Sequence, residues 1–231
     1  MKQEGKEIGK LNDALIEHLS SLLNPNRKET LDKAISLRTK HICLVLENIR
    51  HTQNSSAIIR TAEIMGVQDV HVVRQNYQND LRRDITKGAE KWMEVRLYDG
   101  EERNIELCFN YLKKKKYKIA VTCLDDDSKS IEEIPLIEPL AIVMGEEVSG
   151  VSDFAKANAD YKIKLPMYGL TESFNIAIAG SLVMHQILTR LRSTDVNYLL
   201  NPQQKTELTL DWYKKAIRGG HEIASRFIEK F

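Results

Sequence analysis

The chain has 231 residues and a formal net charge of +1, with 42% hydrophobic and 29% charged residues. This composition is typical of a globular protein with one sizeable core. We find no apolar run near the ~20 residues that a membrane-spanning helix needs, and the charged N-terminus lacks the apolar stretch of a signal peptide. Cys43, Cys108 and Cys123 show no metal-ligand spacing. We therefore expect buried free thiols, no metal site, no membrane association and a cytoplasmic location.

Apolar runs and helical stretches alternate along most of the chain. We predict strands at His41–Glu47, Asp69–Arg74, Glu94–Tyr98, Lys118–Leu124, Leu140–Gly145 and Tyr161–Leu165. Helices are predicted at Ser55–Met65, Asp80–Glu90, Glu101–Lys115, Ser152–Ala159 and Ser173–Leu191. Such alternation indicates an α/β fold with a mostly parallel sheet and helices on both faces.

Helical segments flank this region on both sides. Two polar helices, separated at Asn24-Pro25-Asn26, precede His41, and another begins near Gln203 and is broken near Gly219-Gly220. We therefore divide the chain into an N-terminal helical extension (1–40), a central α/β domain (41–192) and a C-terminal helical extension (193–231).

The first polar cluster follows the first predicted strand. Asn54 lies at the start of a helix, and Arg60 lies two turns further on, beside the apolar residues 57–59. A helix cap and a solvent-exposed arginine would explain both residues without any function. Because the helix is largely apolar, we expect Arg60 to be partly buried, and a buried guanidinium needs a partner. This favours an anion-binding or catalytic role.

The second cluster is the loop Gly145-Glu-Glu-Val-Ser-Gly150 between a buried strand and a helix that Ser152 is expected to cap. Its glycine spacing resembles a phosphate loop, but the Lys-Ser/Thr pair is missing and two glutamates would repel phosphate. The loop suits a neutral or cationic adenosine-type group better. The alternative is an ordinary strand–helix turn that needs glycine for its geometry.

The third cluster is the segment from Lys164 to Gly180. A strand runs into a turn marked by Pro166 and Gly169, and we place Ser173 and Asn175 in the first turn of the next helix. A polar helix start at the carboxyl edge of a parallel sheet is typical of a ligand site. The alternative for this segment alone is an ordinary capped structural helix.

In order and spacing, these three clusters resemble the sequence motifs of the SpoU/TrmH branch of the SPOUT methyltransferases, from about Leu44 to Leu191. The resemblance implies a deep trefoil knot in the C-terminal part of the domain and an obligate homodimer. It also implies S-adenosyl-L-methionine as methyl donor and a ribose 2'-hydroxyl of tRNA, guanosine 18 of the D-loop, as acceptor. The 40 residues before the domain leave no room for the larger RNA-binding domain of related rRNA enzymes.

The resemblance also assigns roles to residues. The implied catalytic residues are Arg60, Asn54, Glu147, Ser173 and Asn175. The implied cofactor-binding residues are Thr122, Leu124, Met144, Gly145, Glu146, Leu165, Met167 and Phe174. The family pattern makes Arg60 the proton acceptor, which conflicts with a guanidinium pKa above ~12.

Binding of tRNA requires local positive charge, since the net charge is close to zero. The N-terminal helices, Arg50, His51, Lys214, Lys215 and Arg218 are the candidates. The alternatives are a 2'-O-methyltransferase for rRNA or another tRNA nucleotide, and a non-catalytic RNA-binding protein on the same fold. A plain α/β nucleotide-binding protein is a third, weakened by the missing phosphate-binding motifs.

Overall fold

The computed structural model describes residues 2–74, 88–100, 103–171 and 173–231. It divides into a terminal unit, Met1–Arg38 with Leu199–Phe231, and a central unit, Thr39–Tyr198. In chain order the elements are α1 (Lys2–Ser21), α2 (Pro25–Ser36), β1 (Thr39–Glu47), α3 (Thr52–Ile64), β2 (Val67–Val73), β3 (Glu94–Tyr98), α4 (Asn104–Lys114), β4 (Lys118–Thr122), β5 (Lys129–Ser130), β6 (Leu140–Met144), α5 (Asp153–Asn158), β7 (Tyr161–Lys164), α6 (Ile176–Arg192), α7 (Pro202–Ala216) and α8 (Gly220–Ile228).

The central unit is built on a parallel sheet. Its described strands are ordered β3-β2-β1-β6-β4-β7-β5, and every pair runs parallel. On β1, Leu44 pairs with Val70 of β2 and with Ile142 of β6. The predicted α/β fold with a mostly parallel sheet is thereby confirmed.

Burial on both faces explains the apolar strands. Residues 42–46 of β1 are all fully buried, as expected for a strand with helices above and below it. Residues of α3 and α6 pack on one face with Leu44 and Ile142, and residues of α4 and α5 pack on the other with Cys43 and Val143. The thiols of Cys43 and Cys108 are free and buried, as predicted, whereas Cys123 is partly exposed.

Element bounds differ from the predictions mainly at their ends. β3 has the predicted bounds, and β1 begins two residues before His41. The two-residue strand β5 was not predicted, because two polar residues carry no strand pattern. The helix predicted at Asp80–Glu90 lies almost entirely outside the described residues.

The terminal unit is a small helical bundle. Its core is formed by Leu15 and Leu19 of α1, Leu31 of α2 and Trp212 of α7, and the buried guanidinium of Arg38 lies 4.9 Å from the centre of the Trp212 ring. The helix starts follow the predicted breaks. Asn24 caps α2 in front of Pro25, and Asn201 forms a capping box with Gln204 at the start of α7. Among the described residues, no helix is both long and apolar enough to cross a bilayer.

Candidate active site

A cavity of about 510 Å³ opens at the carboxyl ends of β4, β6 and β7, which are neighbours in the sheet. This is the edge at which open α/β sheets bind ligands. All eight residues that the sequence assigned to the cofactor lie on its wall: Thr122, Leu124, Met144, Gly145, Glu146, Leu165, Met167 and Phe174. Glu147 and Ser173 line it as well. The structure therefore brings the three strand-end loops together around one space.

The loop after β6 is closed by a narrow neck. Glu146 N–H donates to the Gly150 carbonyl (3.0 Å), and Gly150 N–H donates to the Glu146 carbonyl (2.9 Å). A Cβ on Gly145 would lie 2.2 Å from the Gly150 carbonyl carbon, so only glycine fits there. Gly150 adopts φ +69°, in the left-handed region that favours glycine. The glycine spacing therefore serves a tight hairpin and not phosphate binding.

Asn54 connects the three sequence motifs. Its Nδ2 donates to Glu147 Oε1 at 2.6 Å, and its Oδ1 accepts from Asn175 Nδ2 at 3.4 Å. Arg50, four residues earlier, forms an ion pair with Glu146. Three of the five predicted catalytic residues thus form one hydrogen-bonded group, which reaches the cavity through Glu147.

The start of α6 differs from the prediction. The helix begins at Ile176, and Ser173 lies three residues before it in an exposed, irregular segment. The reason is the side chain of Asn175, whose Oδ1 accepts from the N–H groups of Ala177 (2.9 Å) and Ile178 (3.3 Å) and so caps the helix. Asn175 therefore both caps α6 and contacts Asn54.

The prediction that Arg60 is partly buried is wrong. Arg60 is exposed, and it forms no hydrogen bond or ion pair with the residues that the structure describes. The buried side of α3 includes Ile58 and Ile59. With 3.6 residues per turn, Arg60 points about 200° away from Ile58. It shares the exposed side of the helix with Ile64, which is 78% exposed.

Asp125 and Lys156, two charged residues that sequence reasoning missed, also line the cavity. Asp125 Oδ1 pairs with Lys156 Nζ at 2.9 Å, and Asp125 Oδ2 pairs with Lys162 Nζ at 3.2 Å. The hydrogen bond from Lys156 lowers the pKa of Asp125 below its usual range. Asp125 and Lys156 are 31 positions apart. Neither belongs to a recognisable sequence motif, so the sequence did not predict their pairing.

The wall of the cavity combines apolar and acidic groups. Leu165, Met167 and Phe174 provide apolar surface, while Glu146 and Glu147 bring carboxylates to the loop after β6. The volume is in the range of small-molecule and cofactor sites. The wall also carries Lys156 and Lys164, and its apolar side chains suit an adenosine-type group. Within the described ranges, no group of three or more His, Cys, Asp or Glu side chains is arranged to hold a metal ion.

The predicted RNA-binding residues occupy both units. Arg50 and His51 lie just before and at the start of α3 in the central unit, and both are exposed. In the terminal unit, Lys215 pairs with Asp211 at 2.6 Å, whereas Arg218 is exposed beyond the end of α7.

Comparison with known proteins identifies the family. Residues 41–185 match the model of the SpoU rRNA Methylase family. The tRNA (guanosine(18)-2'-O)-methyltransferase of Borreliella burgdorferi is 36% identical over 87% of this chain and 90% of its own length. The fold resembles the A. aeolicus TrmH/SpoU tRNA modifying enzyme (TM-score 0.72, 23% identity, 84% of this chain and 98% of that chain). It also resembles the SpoU methyltransferase AviRb from Streptomyces viridochromogenes in complex with AdoMet (TM-score 0.57, 16% identity, 70% and 62% covered). The chain therefore belongs to the SpoU rRNA Methylase family.

Proposed function

We propose that this chain is an S-adenosyl-L-methionine-dependent enzyme that methylates a ribose 2'-hydroxyl in tRNA. One observation carries the proposal: the hydrogen-bonded group Asn54–Glu147–Asn175 meets a cofactor-sized cavity at the carboxyl edge of the sheet. Family membership and the name of the Borreliella burgdorferi relative support it.

The cofactor would be held by the three strand-end loops. Leu165, Met167 and Phe174 offer apolar contacts to an adenine ring and a thioether chain, and Gly145 lets the backbone approach closely. The bound cofactor supplies an electrophilic methyl group. Because that group is already activated, the protein has mainly to align it with the acceptor oxygen and to assist loss of a proton.

The residues that face the acceptor differ in how firmly they are held. Asn54 is fixed by Glu147 and Asn175, so it can orient a ribose with little loss of side-chain entropy. Ser173 and Arg60 are exposed and are free to contact the RNA. A guanidinium stays protonated, so Arg60 is suited to hold an RNA phosphate and not to accept the proton while charged.

The variant Arg60→Ala tests this division of roles. We expect methyl transfer to fall ~10- to 150-fold while the Kd for S-adenosylhomocysteine changes less than about threefold, because a lost charge-assisted hydrogen bond costs ~1.5–3 kcal/mol and each 1.4 kcal/mol is a factor of ten. The control is Arg103→Ala, another exposed arginine of the central unit. Equal losses of cofactor affinity and of turnover would contradict the assignment.

Guanosine 18 is the proposed target, since the 36% identical relative carries that name. Methylation of rRNA is the second candidate, because the matching family model is described by rRNA. Mapping 2'-O-methylated nucleotides in tRNA and rRNA from cells with and without the gene separates the two. Loss at position 18 supports the first, loss in rRNA supports the second, and no loss supports a non-catalytic RNA-binding role. A tRNA substrate would place the protein in the cytoplasm.

We also propose the homodimer that the resemblance implies. Ile64 of α3 and Ile178 and Leu182 of α6 are 78%, 54% and 43% exposed, and these two helices pack on each other, with Ser181 Oγ 3.4 Å from Thr61 Oγ1. Exposed apolar side chains on two helices that pack together are typical of an interface. Light scattering should show a dimer for the wild type and a monomer for Leu182→Asp. A monomeric wild type would contradict the proposal.

The trefoil knot is proposed on the same resemblance. It would involve the chain from Leu165 into α6, where the loop after β7 and the start of α6 line the cavity. The likeness of fold to the A. aeolicus enzyme supports it. A crystal structure with a continuous trace of this region would test it directly, and an unthreaded path would refute it.

A further inference from the structure

Glu47 is a buried carboxylate with an incomplete set of partners. It is the last residue of β1 and is 1% exposed. Oε2 accepts from the N–H of Ser152 at 3.1 Å, while Oε1 is buried without a hydrogen-bond partner among the described residues. Burial raises the pKa of Glu47 above its usual range. Burying a carboxylate that is only half satisfied costs stability, so its position calls for an explanation.

Ser152 marks the downstream end of the cavity loop. Its own side chain accepts from Ala155 N–H at 3.2 Å and caps α5. The preceding residues, from Gly145 to Val151, all line the cavity. The backbone bond from Ser152 to Glu47 therefore ties the end of this loop to the end of β1, the strand beside β6 in the sheet.

The segment from Glu47 to Asn54 contacts the loop at three points. Glu47 accepts from Ser152, Arg50 pairs with Glu146, and Asn54 donates to Glu147. The two hydrogen bonds between Glu146 and Gly150 close the hairpin and maintain its shape. They do not fix its location relative to the sheet, which depends on the three contacts with the segment from Glu47 to Asn54. Of the three side chains that reach the loop, only Glu47 is itself buried, whereas Asn54 is partly buried and Arg50 is exposed, and a charge-assisted hydrogen bond is strongest where water is excluded.

We propose that Glu47 is a positioning residue that sets the location of the loop 145–151 through Ser152 and thereby the affinity for the methyl donor. Glu47 is not on the cavity wall and does not touch the ligand. It acts on the loop that carries Glu146 and Glu147. The inference rests on the proposed function, because the ligand of the loop is taken to be the cofactor.

Two substitutions at position 47 test the inference. Glu47→Gln keeps an oxygen that accepts from Ser152 N–H, and Glu47→Leu has none. We expect Glu47→Leu to weaken S-adenosylhomocysteine binding by about tenfold or more in calorimetry without RNA, and to raise the KM for the methyl donor equally. Glu47→Gln should stay within about threefold of the wild type in Kd, which is the rescue that a merely structural role does not predict.

A control carboxylate, more exposed than Glu47, lies at the amino ends of the strands. Asp160 also accepts a backbone N–H, that of Ile119 at 2.9 Å, at the start of β4. Asp160→Leu should lower the melting temperature without changing the Kd. If Glu47→Leu lowers only the melting temperature and binds with the wild-type Kd, the inference is overturned.

A second pair of variants covers the case in which Glu47→Leu does not fold. Ser152→Pro removes the donor N–H, and the φ of −62° at this position is one that proline adopts. Ser152→Ala keeps the N–H and, like Ser152→Pro, loses the hydroxyl, which caps α5 and also hydrogen-bonds Glu47, so the pair differs at the N–H. A Kd raised about tenfold in Ser152→Pro relative to Ser152→Ala supports the inference, and equal values overturn it. If the wild type neither binds S-adenosylhomocysteine nor methylates RNA, the proposed function itself fails.

Discussion

Replacing Gly145 by alanine tests the cavity loop more severely than any other single substitution. The added Cβ would lie 2.2 Å from the Gly150 carbonyl carbon, 2.2 Å from the Val151 nitrogen and 2.3 Å from the Gly150 oxygen. All three are backbone atoms, so no side chain can turn away to make room. The neck of the loop has to open.

The cost follows from the contacts at the neck. Opening it breaks the hydrogen bonds from Glu146 N–H and Gly150 N–H, at ~1 kcal/mol each. The remaining overpacking adds ~1–3 kcal/mol. Holding the loop in its present shape would then cost ~3–5 kcal/mol in Gly145→Ala, and at 1.4 kcal/mol per factor of ten the Kd for the cofactor rises roughly 100- to 4,000-fold.

Calorimetry with S-adenosylhomocysteine measures this change without any RNA. The matched control is Gly180→Ala in α6, where a Cβ would meet Ile58 Cγ1 at 3.4 Å and Met144 Cε at 3.6 Å, ordinary contact distances. Gly180→Ala should bind like the wild type and gain up to ~1 kcal/mol of stability from helix propensity. A Kd of Gly145→Ala for S-adenosylhomocysteine within threefold of the wild-type value would refute the reasoning. It would mean that the neck opens at little cost and that the loop does not form the cofactor site.

Three further predictions concern the site, the sheet and the terminal unit. Asn54→Ala should reduce kcat/KM for tRNA by ~10- to 100-fold with a smaller change in the Kd for the cofactor, because it removes a hydrogen bond to the Glu147 carboxylate. An unchanged kcat/KM would refute the role of Asn54. Burial raises the pKa of Asp69 from 3.8 to about 6 despite the nearby Lys40, so between these pH values the folded chain binds a proton that the unfolded chain has lost. The contribution of Asp69 to the free energy of unfolding therefore falls as pH rises from ~4 to ~6. In urea unfolding, the free energy of unfolding of the wild type should show this fall, ~2–3 kcal/mol at most, and that of Asp69→Asn should not. Identical pH profiles for the two proteins would count against the prediction. Arg218→Ala should reduce the slope of log affinity for tRNA against log salt by about one if the side chain holds a phosphate, and an unaltered slope would exclude that contact.

Buried strands were the most predictable part of the fold. Residues 42–46 of β1 and all of β6 are continuous apolar runs because both faces of the sheet are covered, and such runs stand out in the sequence. β5 did not, since Lys129 and Ser130 join the sheet only through backbone bonds to β7. Strand order was equally invisible, because it depends on contacts between distant residues.

The eight wall residues assigned to the cofactor were found because the loops after β4, β6 and β7 match the family motifs, whereas Asp125 and Lys156 were missed. The mutual contacts of the wall residues were not predictable. Arg60 shows where local reasoning failed: apolar neighbours in sequence suggested burial, but the buried side of α3 is set by Ile58 and Ile59, and Arg60 points away from Ile58. A helical projection centred on those two residues would have placed Arg60 outside the core.

The distribution of hydrogen bonds across the site indicates how it is completed. On the cofactor side, Glu146 and Glu147 are already bonded within the chain, so their positions do not depend on RNA. On the acceptor side, Arg60 and Ser173 are exposed. With the roles we propose, the groups of the cofactor side are fixed by folding, and Arg60 and Ser173, proposed to meet the ribose and its phosphate, are left for the substrate to order. Such an arrangement makes RNA binding, not cofactor binding, the step at which the catalytic geometry is finished.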